Sequence, residues 1–129
     1  MRHALLTEQW FPQIGGSIGL YDAIYNRELP PGDHLHVIAG GPPGAEKHDA
    51  SYPRPVTRFL DTRYPWMKPE SAAEYARMLA HTLDVCRRER VEALHCGRVI
   101  PEGLVGLAVH RALGIPYATW VHGEDVSIH

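Results

Sequence analysis

The sequence has few cysteines, a small net charge and no long apolar run. Its 129 residues include two cysteines, Cys86 and Cys96, which stand in no paired motif. This scarcity argues against a disulfide-stabilised scaffold and against a structural zinc site, and it fits a reducing cytosol. The formal net charge of -2 gives no electrostatic reason to expect nucleic acid as a partner, or an anionic membrane as a main one.

Segments typical of secretion or membrane insertion are also missing. Residues 1–9 are too short and too polar for a signal peptide, because Glu8 and Gln9 interrupt the apolar run. No stretch approaches the roughly 20 apolar residues that span a bilayer. We therefore expect a soluble cytoplasmic protein, with peripheral contact to a membrane left open.

Apolar runs and helical patterns alternate along the chain. The apolar runs predict five strands, at residues 3–7, 35–39, 56–60, 91–96 and 117–121. Helical patterns follow Ser17, Pro69 and Pro101, and the hydroxyl of Ser17 is predicted to cap the first helix. Gly114 is predicted to end the last one. Residues 40–55 are rich in glycine and proline and lack periodicity, which predicts a long functional or mobile loop.

This alternation predicts the fold class. Strands that alternate with helices pair in parallel and are covered by helices on both faces. Right-handed crossovers then favour a doubly wound, Rossmann-like α/β sheet with the strand order 3-2-1-4-5. A length of 129 residues fits one domain, spanning residues 1–129.

Ligands of such sheets bind beyond the carboxyl ends of the strands, close to the switch point between strands one and four. Three unusual segments are predicted to meet there: residues 9–16 after strand one, 96–101 after strand four and 122–125 after strand five. Their convergence is more informative than any one of them alone.

Gly15 and Gly16 lie between a strand and the start of a helix. Glycine there lets the backbone approach a ligand, and free N–H groups favour an anion such as phosphate. With Gly19 they do not complete a dinucleotide-binding fingerprint. The alternative is that both glycines only form a tight turn.

His122 follows the fifth apolar run and is a candidate for hydrogen bonding near a substrate. Glu124 and Asp125 could orient a sugar hydroxyl or raise the basicity of the imidazole. The alternative for these three residues is a polar turn.

The nine histidines do not have the spacing of a metal site. His34 and His36 share one strand face but have no third ligand close in sequence, so we expect no metal and no cofactor. Nothing indicates a lowered thiol pKa that would make Cys96 a nucleophile. Trp10 and Phe11 either stack on a ligand or pack their loop onto the body of the protein.

Three segments in the right order resemble the retaining glycosyltransferases of family four, which have the GT-B fold. They are Phe-Pro-Gln-Ile-Gly-Gly at 11–16, Cys-Gly-Arg-Val-Ile-Pro-Glu-Gly at 96–103, and the strand that ends in His-Gly-Glu-Asp at 117–125. Such enzymes have two Rossmann-like domains that face each other across a cleft. The N-terminal domain binds the acceptor, and the C-terminal domain binds a nucleotide-sugar donor. They transfer the sugar with retention and usually without a metal.

The resemblance implies a role for individual residues. The glycines that match Gly15 and Gly16 approach the donor phosphates, and the histidine that matches His122 lies near the transferred sugar, which makes it the candidate catalytic residue. The implied contacts with substrate or donor phosphate are Gly15, Gly16, Ser17, Arg98, Glu124 and Asp125. The implied partners are a nucleotide-sugar donor and a sugar or lipid-linked acceptor.

The sequence departs from the family in length. The donor-binding domain with its two glutamates is absent, and the acceptor-side domain itself is shorter than usual. We therefore expect a fragment that is inactive alone and needs the missing domain. We also expect its exposed edge beside strand five to favour self-association. Two alternatives stay open: a stand-alone binding module that pairs with a separate donor-binding chain, and a small nucleotide-binding protein.

Overall fold

Five short strands form one parallel sheet in the computed structural model, which describes residues 1–60 and 68–121. The strands are β1 (Arg2–Leu6), β2 (His34–Gly40), β3 (Val56–Leu60), β4 (Ala93–Cys96) and β5 (Tyr117–Thr119). Their order is β3-β2-β1-β4-β5, and every neighbouring pair is parallel. The predicted α/β class and strand order are confirmed.

Helices connect the strands. They are α1 (Gly16–Asp22), continued by a π-helical turn (Ala23–Arg27), then α2 (Ala45–Ser51), α3 (Ala72–Arg88) and α4 (Leu104–Leu113). A 3-10 turn (Pro69–Ser71) precedes α3, and a π-helical turn (Val99–Gly103) precedes α4. Over residues 1–60 and 68–121, none of these helices combines the length and the apolarity needed to cross a membrane.

The side chains of β1 alternate between two hydrophobic clusters, one on each face of the sheet. Leu5 packs with Trp10, Ile18 and Tyr21 on the face that α1 covers. Ala4 and Leu6 belong to the opposite cluster, which α3 and α4 cover. The main members of that second cluster are Ala4, Leu6, Ile38, Met78, Val85, Leu94, Val105 and Val109. Helices therefore lie on both faces, as the alternation predicts.

Helix α3 follows the predicted pattern closely. Met78, Thr82, Val85 and Cys86, which recur at three- and four-residue steps, form its buried face. The Thr82 hydroxyl donates to the Met78 carbonyl at 2.7 Å, so a polar side chain is accommodated in the core. Helix α4 ends at Gly114 with φ 73°, the left-handed conformation expected of a glycine that ends a helix.

Two local predictions are wrong. Residues 40–55 do not form one long loop, because the seven residues of α2 lie within them. Ser17 does not cap α1: the helix already begins at Gly16, Gly15 occupies the cap position, and no side chain bonds to the free N–H groups there.

Candidate functional site

The segments that follow β1, β4 and β5 meet at the carboxyl edge of the sheet. The Gly97 amide donates to the Leu6 carbonyl at 2.9 Å, and the Tyr21 hydroxyl donates to the Gly97 carbonyl at 2.6 Å. The Trp120 amide donates to the Cys96 carbonyl at 2.9 Å. The turn after β4 therefore lies between the end of β1 and the residues that follow β5, as expected for the switch point.

A close approach of backbone to side chain requires glycine at position 97. A Cβ atom there would lie 2.8 Å from Thr7 Oγ1 and 3.3 Å from Tyr21 Cε2. Any larger residue would push the turn after β4 away from β1 and α1. Gly97 therefore fixes the backbone position of the next residue, Arg98.

Arg98 forms a two-pronged ion pair with Glu102. Its Nε and one terminal nitrogen each donate to a carboxylate oxygen at 3.0 Å. The Glu102 side chain is 1% exposed and that of Arg98 is 22% exposed. Burial raises the pKa of the Glu102 carboxyl, and the Arg98 guanidinium acts in the opposite direction. The pair holds the guanidinium plane in one orientation at the edge of the sheet.

Gly15 and Gly16 lie in an exposed stretch at the start of α1. Gly15 is extended, with φ -180° and ψ 154°, and neither glycine is among those with positive φ. A Cβ at Gly15 would meet only Ile18 Cδ1, at 3.7 Å, and one at Gly16 would meet nothing within 4 Å. The tight-turn alternative therefore lacks a conformational reason at either position, and the space beside both residues is open.

Arg58 of β3 holds the loop that leads to these glycines. Its guanidinium donates to the carbonyls of Gly40 and Phe11 at 2.6 Å and to both carboxylate oxygens of Asp49 at 2.8 Å. Its side chain is 9% exposed, and its hydrogen bonds hold the pKa of Asp49 below the ordinary value. One buried cation thus joins β2, α2 and the loop after β1.

Trp10 and Phe11 pack this loop onto the body of the protein. Trp10 is completely buried, and its ring meets Phe11 and Tyr52 edge to face at 5.2 and 5.9 Å between centroids. Phe11 stacks on His48 of α2 at 5.3 Å. Of the two predicted roles for this pair of aromatics, the structure supports packing.

An open depression of about 530 Å³ lies beside the loop, at the carboxyl ends of β2 and β3. Arg58, residues 41–42 and residues 44–47 line it, and Lys47 contributes a second cationic side chain. It adjoins the Arg58 contacts and extends the candidate site away from the switch point.

A chain of hydrogen-bonded side chains, termed here the cross-sheet network, runs under α1. Trp120 Nε1 donates to the Tyr25 hydroxyl at 2.8 Å, and that hydroxyl lies 3.2 Å from His95 Nδ1. His95 Nε2 lies 3.1 Å from His3 Nδ1, and His3 Nε2 lies 2.9 Å from the Asp33 carboxylate. The network therefore connects the residue after β5 with the opposite, amino edge of the sheet.

Burial controls the protonation of this network. It lowers the pKa of His95 to about 4, with His3 acting in the same direction, and it raises the pKa of the Tyr25 hydroxyl. The hydrogen bond from His3 holds the pKa of Asp33 below its ordinary value. At neutral pH His95 is therefore an uncharged imidazole that relays hydrogen bonds between Tyr25 and His3.

The described residues bring together no group of three or more histidine, cysteine, aspartate or glutamate side chains that could hold a metal ion. Burial raises the pKa of the Cys96 thiol to about 12 and that of Cys86 to about 11. Both thiols are therefore protonated at neutral pH and are poor nucleophiles.

The predicted site residues divide into two groups. The first group lies within the described residues and comprises Gly15, Gly16, Ser17 and Arg98. The hydrogen bond between Tyr21 and Gly97 joins α1, where the first of these segments lies, to the turn that carries Arg98. His122, Glu124 and Asp125 lie outside the described residues. The roles of all seven stay predictions.

Sequence reasoning missed three features of this edge. Glu102 stands four residues after Arg98, a spacing that signals an ion pair where the chain is helical. His3 and His95 are polar residues inside apolar strands, which signals a buried partner. No local signal marks Arg58, because its partners lie 9, 18 and 47 residues away along the chain.

Comparisons with known proteins give a likeness of fold. No protein-family model matches the chain, and no curated protein matches it. The solved structure of a glycosyltransferase from Rickettsia africae ESF-5 superposes with a TM-score of 0.57 at 12% identity. The superposition covers 92% of this chain and 29% of that one, so the chain spans less than a third of the length of the protein it matches.

Proposed function

We propose that this chain is the acceptor-side, N-terminal part of a glycosyltransferase. The complete enzyme would move a sugar from a nucleotide-sugar donor to a sugar or lipid-linked acceptor with retention. The observation that carries the proposal is the carboxyl edge, where an exposed glycine pair and an oriented arginine follow strands one and four of a sheet shaped like part of a known glycosyltransferase.

The start of α1 supplies hydrogen-bond donors for a phosphate. The first N–H groups of any helix have no partner within it, and no side chain caps them here. Neither Gly15 nor Gly16 carries a side chain that would keep a phosphate away, and Ser17 adds a hydroxyl beside them. Phosphate oxygens of a donor are the groups that this arrangement fits.

Arg98 adds a cation at the same edge. Glu102 holds the plane of its guanidinium in one orientation, and a guanidinium suits recognition of a phosphate or a carboxylate. Glu102 is then a positioning residue for Arg98. The depression beside Arg58 and Lys47 gives space for an acceptor.

The other half of the cleft belongs to the donor-binding domain. The pair of glutamates that the family resemblance places on the donor would come from there, and His122, Glu124 and Asp125 would approach the transferred sugar from this side. Catalysis of transfer depends on groups placed on all sides of the developing charge. We therefore expect the chain alone to bind a donor weakly and to transfer no sugar.

A binding experiment tests the glycine loop in the chain itself. Amide NMR spectra are recorded while uridine and guanosine diphosphate sugars are added. Shifts are expected at residues 14–18 and 97–103, with a dissociation constant on the order of 1 mM, equivalent to about -4 kcal/mol. Gly16→Val should remove them because its side chain fills the open space beside the loop.

Gly19→Val is the matched control. It lies in the same helix, and a Cβ there also meets nothing within 4 Å, so the fold tolerates both changes alike. Equal binding by the two variants, or shifts confined to other parts of the sheet, would contradict the proposed donor loop.

A second experiment uses a longer enzyme that contains this chain and a donor-binding domain. His122→Ala is expected to lower kcat about 100-fold or more while the melting temperature stays unchanged, because it removes one positioned polar group. Full activity of both His122→Ala and Gly16→Val would refute the assignment.

A further inference from the structure

We propose that the amino edge of the sheet, opposite the candidate functional site, holds a separate binding site for a phosphate-sized oxyanion. The site is a cavity of about 150 Å³, termed here the amino-edge cavity. Its polar lining consists of Arg2, His3, His34, His36, Arg54 and Glu89.

The size of the cavity limits the ligand. A protein cavity of about 150 Å³ accommodates a benzene-sized molecule, and a phosphate group has fewer non-hydrogen atoms than benzene. The lining comes from the starts of β1 and β2, the residues before β3 and the end of α3. A nucleotide is too large for this space, so the ligand is a free oxyanion or the terminal phosphate group of a larger molecule.

The charge of the cavity favours an anion. Arg2 and Arg54 outnumber the single carboxylate of Glu89, which lies 3.5 Å from Arg2. Arg54 uses three of its five N–H donors on Asn26 and on the Asp33 carbonyl. These bonds hold the guanidinium in place, and two donors remain beyond them.

His36 lines this cavity, and one of its ring nitrogens has no hydrogen-bond partner among the described residues. The residue is 8% exposed, and its Nε2 lies 2.6 Å from the Thr57 hydroxyl. Its Nδ1 is buried and has no hydrogen-bond partner among the described residues. Leaving such a group without a partner costs about 1–3 kcal/mol, and an acceptor from a ligand would remove that cost.

The tautomer of His36 suits an anion. When the Thr57 hydroxyl donates to Nε2, the ring proton sits on Nδ1 and becomes a donor. Burial lowers the pKa of His36, so the imidazole can take this role without carrying a charge. Three histidines would also suit a metal, but the described residues place no three potential ligands together, and two arginines repel a cation.

Titration of the unsubstituted chain with inorganic phosphate tests the site. Amide NMR spectra are followed at constant ionic strength, with sodium chloride as the balancing salt. Saturable shifts are expected at Arg2, Leu35, His36 and Val91 in the millimolar range. A parallel titration with a sugar phosphate separates a free ion from the phosphate end of a larger molecule.

Two variants sharpen the test. Arg2→Gln and His36→Leu should each weaken phosphate binding about tenfold, because the first removes a positive charge and the second removes a hydrogen-bond donor. Arg111→Gln, which removes an exposed cation of α4 outside the cavity, should leave binding unchanged. Melting temperatures of all three establish that the variants are folded.

The proposal is overturned if chloride gives the same shifts as phosphate, if no titration saturates, or if all three variants bind alike. Shifts that appear only at residues 14–18 would place phosphate at the donor loop and leave the amino edge without a site. Because the two locations lie at opposite edges of the sheet, this result and the test of the donor loop are independent.

Discussion

Two helical glycines in this chain have opposite surroundings. A Cβ at Gly106 of α4 would lie 2.5 Å from Cys96 Sγ and 3.1 Å from Tyr117 Cδ2, whereas one at Gly19 of α1 would meet nothing within 4 Å. Helix propensity favours alanine at both positions. Packing alone therefore distinguishes them.

Gly106→Ala is expected to lower the free energy of unfolding by about 1–3 kcal/mol, because Cys96 is fully buried and cannot move aside. Gly19→Ala is expected to raise it by about 0.5–1 kcal/mol. Urea unfolding of both variants checks this pair. Equal changes in the two variants would mean that α4 shifts to accept the methyl group.

His95 makes stability depend on pH. Its pKa is about 4 in the folded protein and near 6.5 when unfolded, so the unfolded chain binds the proton first as the pH falls. The contribution of the uncharged His95 to the free energy of unfolding is fully present above about pH 6.5 and is lost progressively as the pH falls to about 4. Urea unfolding at several pH values in this window should show decreasing stability.

His95→Gln is expected to make that decrease shallower, since glutamine does not titrate. Some dependence should remain, because burial also lowers the pKa of His36. The comparison uses slopes, so a general loss of stability in the variant does not affect it. Identical slopes would rule out His95 as a source of the pH dependence.

At the residue scale, the sequence predicts where a residue lies along the sheet better than it predicts which side chains that residue contacts. The positions of Gly15 and Gly16 between a strand and a helix single them out, whereas the family resemblance implies Ser17 and Arg98; all four lie after the carboxyl ends of β1 and β4. The buried partner of Arg98, Glu102, was missed. Burial of a charged residue is a tertiary property that composition and spacing do not encode.

The short helix α2 depends on contacts from outside it. Its residues lack an apolar stripe, and Ala45 is its only buried member. Helices this short are unstable alone, so tertiary contacts must hold it. The ion pair between Asp49 and Arg58 of β3 and the stacking of Phe11 on His48 supply such contacts. Because these partners are distant in sequence, the sequence predicts a loop here.

Arg58→Met is expected to lower the free energy of unfolding by about 3 kcal/mol, because it leaves the Asp49 carboxylate and two carbonyls without their donor. Thermal or urea unfolding measures the loss. Hydrogen exchange should also accelerate at Gln13, whose amide bonds to the Trp10 carbonyl within the loop.

Arg88→Met is the control for this variant. It removes an ion pair with Asp84 on the exposed face of α3, where both side chains are more than half exposed. Such surface pairs contribute about 0.3–0.5 kcal/mol. An equally small loss for Arg58→Met would show that the buried pair does not hold α2.

For the whole molecule, the strand order was predictable because it follows from general rules. Alternating strands and helices require parallel pairing, and right-handed crossovers leave few arrangements. The two hydrophobic clusters then follow from the alternation of residues such as Leu5 and Leu6. Details that depend on distant partners, such as the cross-sheet network, could not follow from the same rules.

The edge strand β5 is the predicted place for self-association. It pairs with β4, and no second neighbour lies along it within residues 1–60 and 68–121. Exposed apolar side chains accompany this edge, notably Leu104 at 40%, Tyr117 at 37% and Val121 at 60% exposure. Unpaired edges with apolar surface tend to pair with another chain.

We expect the chain to form dimers or larger species as its concentration rises, and Ala118→Lys to suppress them, because a charge on an edge strand opposes pairing. Sedimentation velocity over a range of concentrations measures both. Ala50→Lys, which places a lysine on the exposed side of α2, controls for the change in net charge. A monomer at every concentration, or equal association of both variants, would exclude β5 as the interface.

For the donor binding proposed above, Arg58 also has a consequence for the rate of association. Because it holds the carbonyls of Phe11 and Gly40 in the folded protein, the loop after β1 is ordered before any ligand arrives. Association with this loop then needs no slow rearrangement, and little chain entropy is lost at the moment of encounter. Observed binding rates should rise linearly with ligand concentration in a single phase, and differences in affinity among ligands should lie mainly in how fast they leave.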